Sequence, residues 1–407
     1  MSIFQEYVLD RVREAMDGNI TQIPIHLARV NDVLSIRKRL YILVGGNTGS
    51  GKTSFVDDTY ILKPYDIWRK YKDTTNITYR CLYRSMERSQ GDKLAKWACW
   101  KLYQTHGMLL DADTLLGYRK TRINEQVWDL VVGARDWADE MLDFVDIRDG
   151  RTSPSELNDW VTEHALRHGD LFIADTLGVK HANTKDNQYI DLFVNGRVKT
   201  TRSGDRIPIC AFKFKDKEYT IKKNERTYVP HRPDEITTVI SDHLGKYVGE
   251  TSLTSKKAIV DKASEHNSDF RDVFGYTPIA ISQFNRAIGD TQRMKFADGD
   301  LAPQLEDFKD SASSQEDADI VLALFDAFRY KSYNDAGMYR GYSIRDKMVN
   351  AYGFNRYRLL SVLKNSYGRD SVSYGLKFLG EVNDFSTLPQ PGTPELEAAY
   401  ELIAKGF

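Results

Sequence analysis

Residues Leu43 to Phe55 read LVGGNTGSGKTSF, and within them Gly46-Asn47-Thr48-Gly49-Ser50-Gly51-Lys52-Thr53 fits the pattern G-x-x-x-x-G-K-[ST]. Before the loop, Leu40-Tyr41-Ile42-Leu43-Val44 is a continuous apolar run, as expected of a strand buried on both faces of a parallel sheet. After it, Lys52-Thr53-Ser54-Phe55-Val56 opens a helix. Strand, glycine-rich loop and helix, in that order, form the setting in which this motif cradles phosphate. Backbone N–H groups between Gly46 and Ser54 would close around a β-phosphate. Lys52 would reach the β- and γ-phosphates, and the Thr53 hydroxyl would ligate Mg²⁺. The expected fold is therefore α/β with a mostly parallel central sheet, and the expected ligand is a nucleotide.

Composition narrows the class without naming an activity. The 407 residues suffice for one large domain or two ordinary ones. With 57 basic and 58 acidic residues the formal net charge is -1, so bulk attraction to nucleic acid is not written into the chain, although a local basic strip remains compatible with it. The three cysteines, Cys81, Cys99 and Cys210, have no paired spacing and no histidine cluster beside them, which suggests neither a disulfide framework nor a zinc site and suits a reducing cytoplasm. The first residues, MSIFQEYVLDRVREAMDG, are charged and lack the apolar core of a signal peptide. No run of about eighteen apolar residues predicts a membrane span.

Along the chain, residues 3 to 16 carry Ile3, Tyr7, Val8 and Val12 at helical spacing. This short arm (1–20) either packs on its own domain or docks on a neighbouring subunit. Further strands are expected at Ile77–Tyr83, Phe144–Ile147, Ile236–Ile240, Pro278–Ile281, Ile320–Phe325, Arg358–Leu363 and Tyr374–Leu379. Helices are expected from Ser89 to about Tyr103, after the capping pattern Ser153-Pro154-Ser155-Glu156, over 255–274, and at Pro394–Ala404 in the 387–407 tail. Between about 186 and 230 the pattern turns to hairpins, with Asn195-Gly196 as one turn and Phe212–Lys215 against Glu218–Ile221 as another. The lysines there, Lys213, Lys215, Lys217, Lys222 and Lys223, read as a solvated face in preference to a nucleic-acid surface.

Three residues outside the loop have the right chemistry in the right place. Asp242 ends a β-branched strand, as an acidic magnesium partner beside the phosphate strand should. Glu87 follows a strand tip and is either a water-activating base or a surface residue. Gln283 ends another strand, and ligands of open α/β sheets bind along that carboxyl edge.

Several segments, in the same order, resemble the hexameric DnaB-type replicative helicases, whose core is a RecA-like ATPase. Arg84-Ser85-Met86-Glu87-Arg88-Ser89 is similar to the family's S-L-E-M-S, which implies that Glu87 activates water. Ile240-Ser241-Asp242-His243-Leu244 is similar to I-D-Y-L, with one residue inserted or substituted before the acid. Ile281-Ser282-Gln283-Phe284-Asn285-Arg286 resembles L-S-Q-L-N-R, where the glutamine senses the γ-phosphate. Leu305 to Asp319, reading LEDFKDSASSQEDAD, resembles D-L-R-E-S-G-x-I-E-Q-D-A-D, the loop facing single-stranded DNA, and so implies DNA contact by Lys309, Asp310 and Ala312. Val362–Gly368 with Leu376–Gly380 resembles K-N-R-x-G-P-T-G…L-x-F. The resemblance spans most of residues 20 to 386 and implies a core over 21–386.

The departures are specific. The family's arginine finger, two residues after the lysine Lys364, is Ser366 here, with Arg369 three positions further on as a possible replacement. The glycine of the DNA loop is Ala312. No primase-docking domain is recognisable before the core, and the interval from Thr53 to Asp242 is long, which suits a compact helicase of phage or mobile-element type in a bacterial cytoplasm. The resemblance implies ATP and Mg²⁺ as cofactors, with single-stranded DNA, a hexameric ring and a primase or other replication proteins as partners. A RecA-like regulatory or assembly ATPase without unwinding is the competing expectation. A metabolic kinase is a poorer one, since it leaves 305–319 unexplained.

Overall fold

The computed structural model describes residues 22–175, 177–184, 188–190, 197–200, 206–251, 253, 255–290, 293, 301–308, 312–330, 337–350 and 353–405, with Arg13 and Met16 before them. Most of the 1–20 arm, the Asn195-Gly196 turn, Lys309 and Asp310 lie outside the described residues.

A nine-stranded sheet organises the chain. Its strands are β1 (Ile42–Gly46), β2 (Thr78–Ser85), β3 (Val145–Asp149), β4 (Glu235–Asp242), β5 (Thr277–Gln283), β6 (Ile320–Phe325), β7 (Tyr357–Asn365), β8 (Val372–Leu379) and β9 (Asp384–Thr387). The spatial order is β9-β8-β7-β6-β1-β5-β4-β2-β3. The six strands from β6 to β3 run parallel, whereas β7, β8 and β9 form an antiparallel meander on one edge. Every residue of β1 and β6 is buried, because helices cover both faces of a parallel sheet.

Alternation along β1 serves two cores. Leu43 joins the layer holding α4 (Pro154–His168) and α5 (Lys256–Asp272), with Leu157, Trp160, Ile259 and Phe270. Ile42 and Val44 join the opposite layer, with Phe55, Tyr65, Trp97 and Trp100. Those side chains come from α1 (Lys52–Asp57), α2 (Lys63–Tyr71) and α3 (Gln90–His106). The two helices α1 and α2 are joined through a π turn at Asp58–Leu62. The expected capping box closes α4: Ser153 accepts from the Glu156 N–H, and Glu156 accepts from the Ser153 N–H. No helix among the described residues is long and apolar enough to cross a membrane.

Between α4 and β4 the chain builds two smaller sheets. The hairpin expected around 212–221 is present as Arg206–Phe214 paired with Lys217–Lys222. Its turn residues Lys215 and Asp216 both have positive φ, the conformation that two-residue hairpin turns need. The β-rich region is wider than its 186–230 sequence pattern, because Gly169–Ala174 pairs antiparallel with Arg226–Pro230. Phe172, Val179, Phe212 and Ile221 form their own small core. Lys215 and Lys222 are engaged by Asp170 and Glu225, each at 3.0 Å, as on a solvated face. Together with the helices between 112 and 142, these sheets account for the long interval from Thr53 to Asp242.

Candidate nucleotide site

At the carboxyl end of β1 the loop turns through Gly49 (φ 72°) and Gly51 (φ 94°), left-handed conformations that glycine adopts without strain. Lys52 begins α1, and its ammonium spans the loop mouth, donating to the Gly46 and Asn47 carbonyls at 3.0 Å each. Burial lowers the Lys52 pKa to about 8, opposed by the charges of Asp242 and Glu87. The neighbouring carboxyl ends of β4, β5 and β2 bring Asp242, Gln283 and Glu87 to the same place. A cleft of about 350 Å³ is lined by Lys52, Thr53, Glu87, Asp242 and Gln283 among others.

Asp242 is almost wholly buried. Its Oδ1 accepts from the Thr53 hydroxyl at 3.1 Å and its Oδ2 from the Tyr83 hydroxyl at 3.2 Å. Desolvation raises the carboxyl pKa, and the Lys93 charge works against that rise. A desolvated carboxylate beside a hydroxyl is an all-oxygen donor set, which fits Mg²⁺ completing its shell with phosphate oxygens and water.

Glu87 is fixed from two sides. The Met86 N–H donates to the Asp242 carbonyl at 2.8 Å, tying the end of β2 to the end of β4. The Glu87 carboxylate meets His243 Nε2 at 3.1 Å and Lys246 Nζ at 3.4 Å. Since the Gly245 N–H donates to His243 Nδ1 at 3.0 Å, the ring presents its Nε2–H to Glu87. The His243 hydrogen bond, and after it the two cationic charges, lower the Glu87 pKa to about 2, so this acid is ionised at neutral pH. Gln283 Nε2 donates to the Thr48 hydroxyl.

Beneath this arrangement lies a charged network that the sequence did not disclose. Lys93 on α3 is fully buried, with Nζ 3.1 and 3.0 Å from the two carboxylate oxygens of Asp57, bonded to the Tyr83 hydroxyl, and 3.7 Å from Asp242 Oδ2. The Trp97 indole N–H also donates to Asp57, at 3.2 Å. At the π turn the adjacent Asp58 addresses different donors: the Trp100 indole at 2.8 Å, the Phe385 N–H at 3.1 Å and His26 at 3.1 Å. Such turns accommodate an extra residue inside a helix and occur often at functional sites.

Other predicted residues fall elsewhere. Lys364 lies near the far end of β7, where Nζ donates to the carbonyls of Gln315 and Glu316 at 2.9 and 2.8 Å. Arg369 is exposed in the following turn, and its carbonyl accepts from Asn365 at 3.2 Å. Neither approaches the phosphate loop of its own chain. Ala312 starts the helix Ala312–Asp317. The loop is instead flanked by arginines unforeseen from sequence: Arg329 Nη1 donates to the Thr48 carbonyl, and Arg358 Nε donates to the Ser50 carbonyl at 2.8 Å. Only the adjacency of His243 to Asp242 offered a clue to any of these partners.

No family model matches the chain, and no curated protein matches it. Among solved structures, one described as the ATPase domain of a DnaB-like replicative helicase is similar over 96% of this chain and 100% of its own, at 15% identity and a TM-score of 0.57. Another, "The Structure Of A DnaB-Like Replicative Helicase And Its Interactions With Primase", is similar over 94% of this chain and 68% of its own, also at 15% identity and a TM-score of 0.57. Across nearly its whole length, then, the chain has the RecA-like α/β fold of the DnaB-type replicative-helicase ATPase domain.

Proposed function

We propose that this chain is an ATP-dependent DNA helicase that works as a homo-oligomeric, hexameric ring on single-stranded DNA during replication, with a primase or another replication protein as a further partner. The observation that carries the reading is the convergence of Lys52, Thr53, Glu87, Asp242 and Gln283 on one cleft at the carboxyl edge of the parallel strands.

In this reading the loop N–H groups and Lys52 bind the phosphates of ATP. The Thr53 hydroxyl and the Asp242 carboxylate would hold Mg²⁺, which supplies neutralisation of charge on the β- and γ-phosphate oxygens. Glu87, ionised and held by His243, orients the attacking water and takes its proton. Gln283, tied to Thr48, reports the state of the loop to β5. Lys364 or Arg369 would enter the site of the next subunit, since both lie far from their own. Lys309, Asp310 and Ala312 would track the DNA backbone, a contact that needs no sequence preference.

The test is ATP hydrolysis with and without single-stranded DNA, for wild type and Lys52→Ala. DNA-stimulated turnover that the substitution abolishes is expected, followed by strand separation on a forked duplex. A basal rate indifferent to DNA, with no unwinding, would instead favour a RecA-like regulatory ATPase. That second reading draws on the closed pairing of Glu87 with His243 and Lys246 and on serine at position 366.

A further inference from the structure

The proposed hydrolysis needs a cation on the charge that develops as the γ-phosphate departs, and the position where the resemblance implies a finger holds Ser366. Resting on that reading, we infer that Arg329 supplies this cation in cis, from the strand beside the phosphate loop of the same chain.

Arg329 closes a short 3₁₀ turn, Ala327–Arg329, just past the carboxyl end of β6. Strand β6 is the neighbour of β1 on the side opposite β5. Gln283 from β5 and Arg329 from β6 thus reach the loop from its two flanks and bond the same residue, one at the Thr48 hydroxyl and one at its carbonyl. A phosphate seated under Lys52 lies between them. The guanidinium also rests against Gly49, where a Cβ would collide with Arg329 Nη2. Glycine at this position admits the arginine as well as the turn. The Arg329 charge acts on the Lys52 ammonium, the group that meets the β- and γ-phosphates.

The arginine is braced from behind and open in front. Its Nε lies 3.2 Å from Asp326 Oδ2. Asp326 is itself nearly buried and held by Asn355 at 2.8 Å and Arg358 at 3.6 Å. The Arg329 side chain is still 48% exposed. Its contacts to Thr48 and Asp326 occupy only part of the guanidinium fork, which leaves N–H groups for phosphate oxygens. A lysine could not hold both partners and still present donors, because its ammonium is a single point.

In the step itself, the water oxygen forms a bond to the γ-phosphorus while the β–γ bridging P–O bond breaks. The bonding electron pair stays on the β-phosphate of ADP. The water proton passes through Glu87 to the released phosphate. Arg329 donates to the oxygens on which negative charge accumulates, the role that an arginine in cis fills in other phosphate-loop enzymes.

The experiment compares wild type, Arg329→Ala, Arg329→Gln, Arg329→Lys and Arg369→Ala in ATP turnover and in the Kd of a fluorescent ATP analogue. Thermal melting checks that each variant folds. Expected for Arg329→Ala and Arg329→Gln is a fall in kcat of about 10²- to 10³-fold, with Kd within about fivefold of wild type; Arg329→Lys recovers little turnover, and Arg369→Ala costs less than any of them. Mixing Arg329→Ala with Lys52→Ala subunits should restore no activity, since neither kind of chain holds a complete site. A gain on mixing means that the arginine acts across subunits and overturns the inference. Unchanged kcat overturns it as well, and so does a Kd that weakens in step with kcat, the mark of a mere loop clamp. Wild type without hydrolysis would sink the underlying ATPase reading and this inference with it, whereas an active wild type with an indifferent Arg329→Ala removes the arginine alone.

Discussion

Replacing Lys93 by methionine tests the buried network under the site. The substitution keeps an unbranched side chain of similar length and deletes one charge. In wild type that charge sits fully buried, about equidistant from both oxygens of Asp57 (3.1 and 3.0 Å) and 3.7 Å from Asp242. Its loss leaves two buried carboxylates without their shared cation. Breaking one side of a buried ion pair costs about 3–5 kcal/mol, because the orphaned charge stays desolvated. Unfolding entropy scales at about 2.1 cal/mol/K per residue, which for a chain of this length gives roughly 0.9 kcal/mol/K. Lys93→Met should therefore lower Tm by about 4–6 °C. Trp97 and Trp100 lie in the network and report its melting by intrinsic fluorescence. Adding Asp57→Leu to Lys93→Met should recover part of the loss, since an apolar pair of similar volume replaces a buried ionic one at little cost. A Tm for Lys93→Met within about 1 °C of wild type, or a double variant as unstable as the sum of the singles, would refute the reasoning.

Glu87→Gln keeps a hydrogen-bonding partner for His243 and removes the base. It should cut single-turnover hydrolysis by about 10²- to 10⁴-fold while leaving nucleotide affinity nearly unchanged in equilibrium titration. Gly49→Ala should displace Arg329 and so mimic Arg329→Ala in turnover, at a stability cost of about 1–2 kcal/mol for the left-handed backbone, read from denaturant unfolding. His164 is buried, stacked on His168 at 4.1 Å and bonded to the Tyr276 hydroxyl at 3.0 Å. Burial, then the positive charges of His168, Arg80 and Arg167, lower its pKa to about 3. Its folded pKa lies below the unfolded value, so its contribution is complete above about pH 6.5 and is lost as pH falls toward 3. Between pH 7 and 5 the wild type should lose about 2 kcal/mol relative to His164→Gln, measured by urea unfolding at each pH.

Features encoded by local pattern were legible in advance, and features made by long-range packing were not. Strand β6 and the helix Pro394–Ala404 match their expected limits, because a fully apolar run and a proline-started amphipathic stretch leave little choice. The α4 cap was visible in four residues. Strand Gly169–Ala174 escaped notice because it begins where α4 ends, and its partner Arg226–Pro230 lies more than fifty residues on. Lys93 looked like any lysine on a helix, a residue type normally solvated. What buries it is Asp57 from α1, placed there by tertiary packing. Arg329 sits in Asp326-Ala327-Phe328-Arg329-Tyr330, a stretch without periodicity, so its approach to Thr48 depends on β6 lying beside β1.

The geometry also separates the two sources of positive charge that sequence reasoning left undecided. Strand β7 carries Arg358 near one end and Lys364 near the other. At about 3.3 Å per residue, the Cα atoms of these two residues stand roughly 20 Å apart. Arg358 is bonded to the phosphate loop through Ser50, whereas Lys364 caps the carbonyls of Gln315 and Glu316. The strand is paired along its length with β6 on one side and β8 on the other, and is largely buried, so it cannot bend to bring its far end round. The Lys364–Arg369 end is consequently excluded from its own nucleotide and available only to another chain. Arg329 is under the opposite constraint: Asp326 and Thr48 hold it at its own loop. A cation for the γ-phosphate in cis and a basic hairpin presented outward are thus two consequences of one sheet order, and serine at position 366 removes an arginine only from the second.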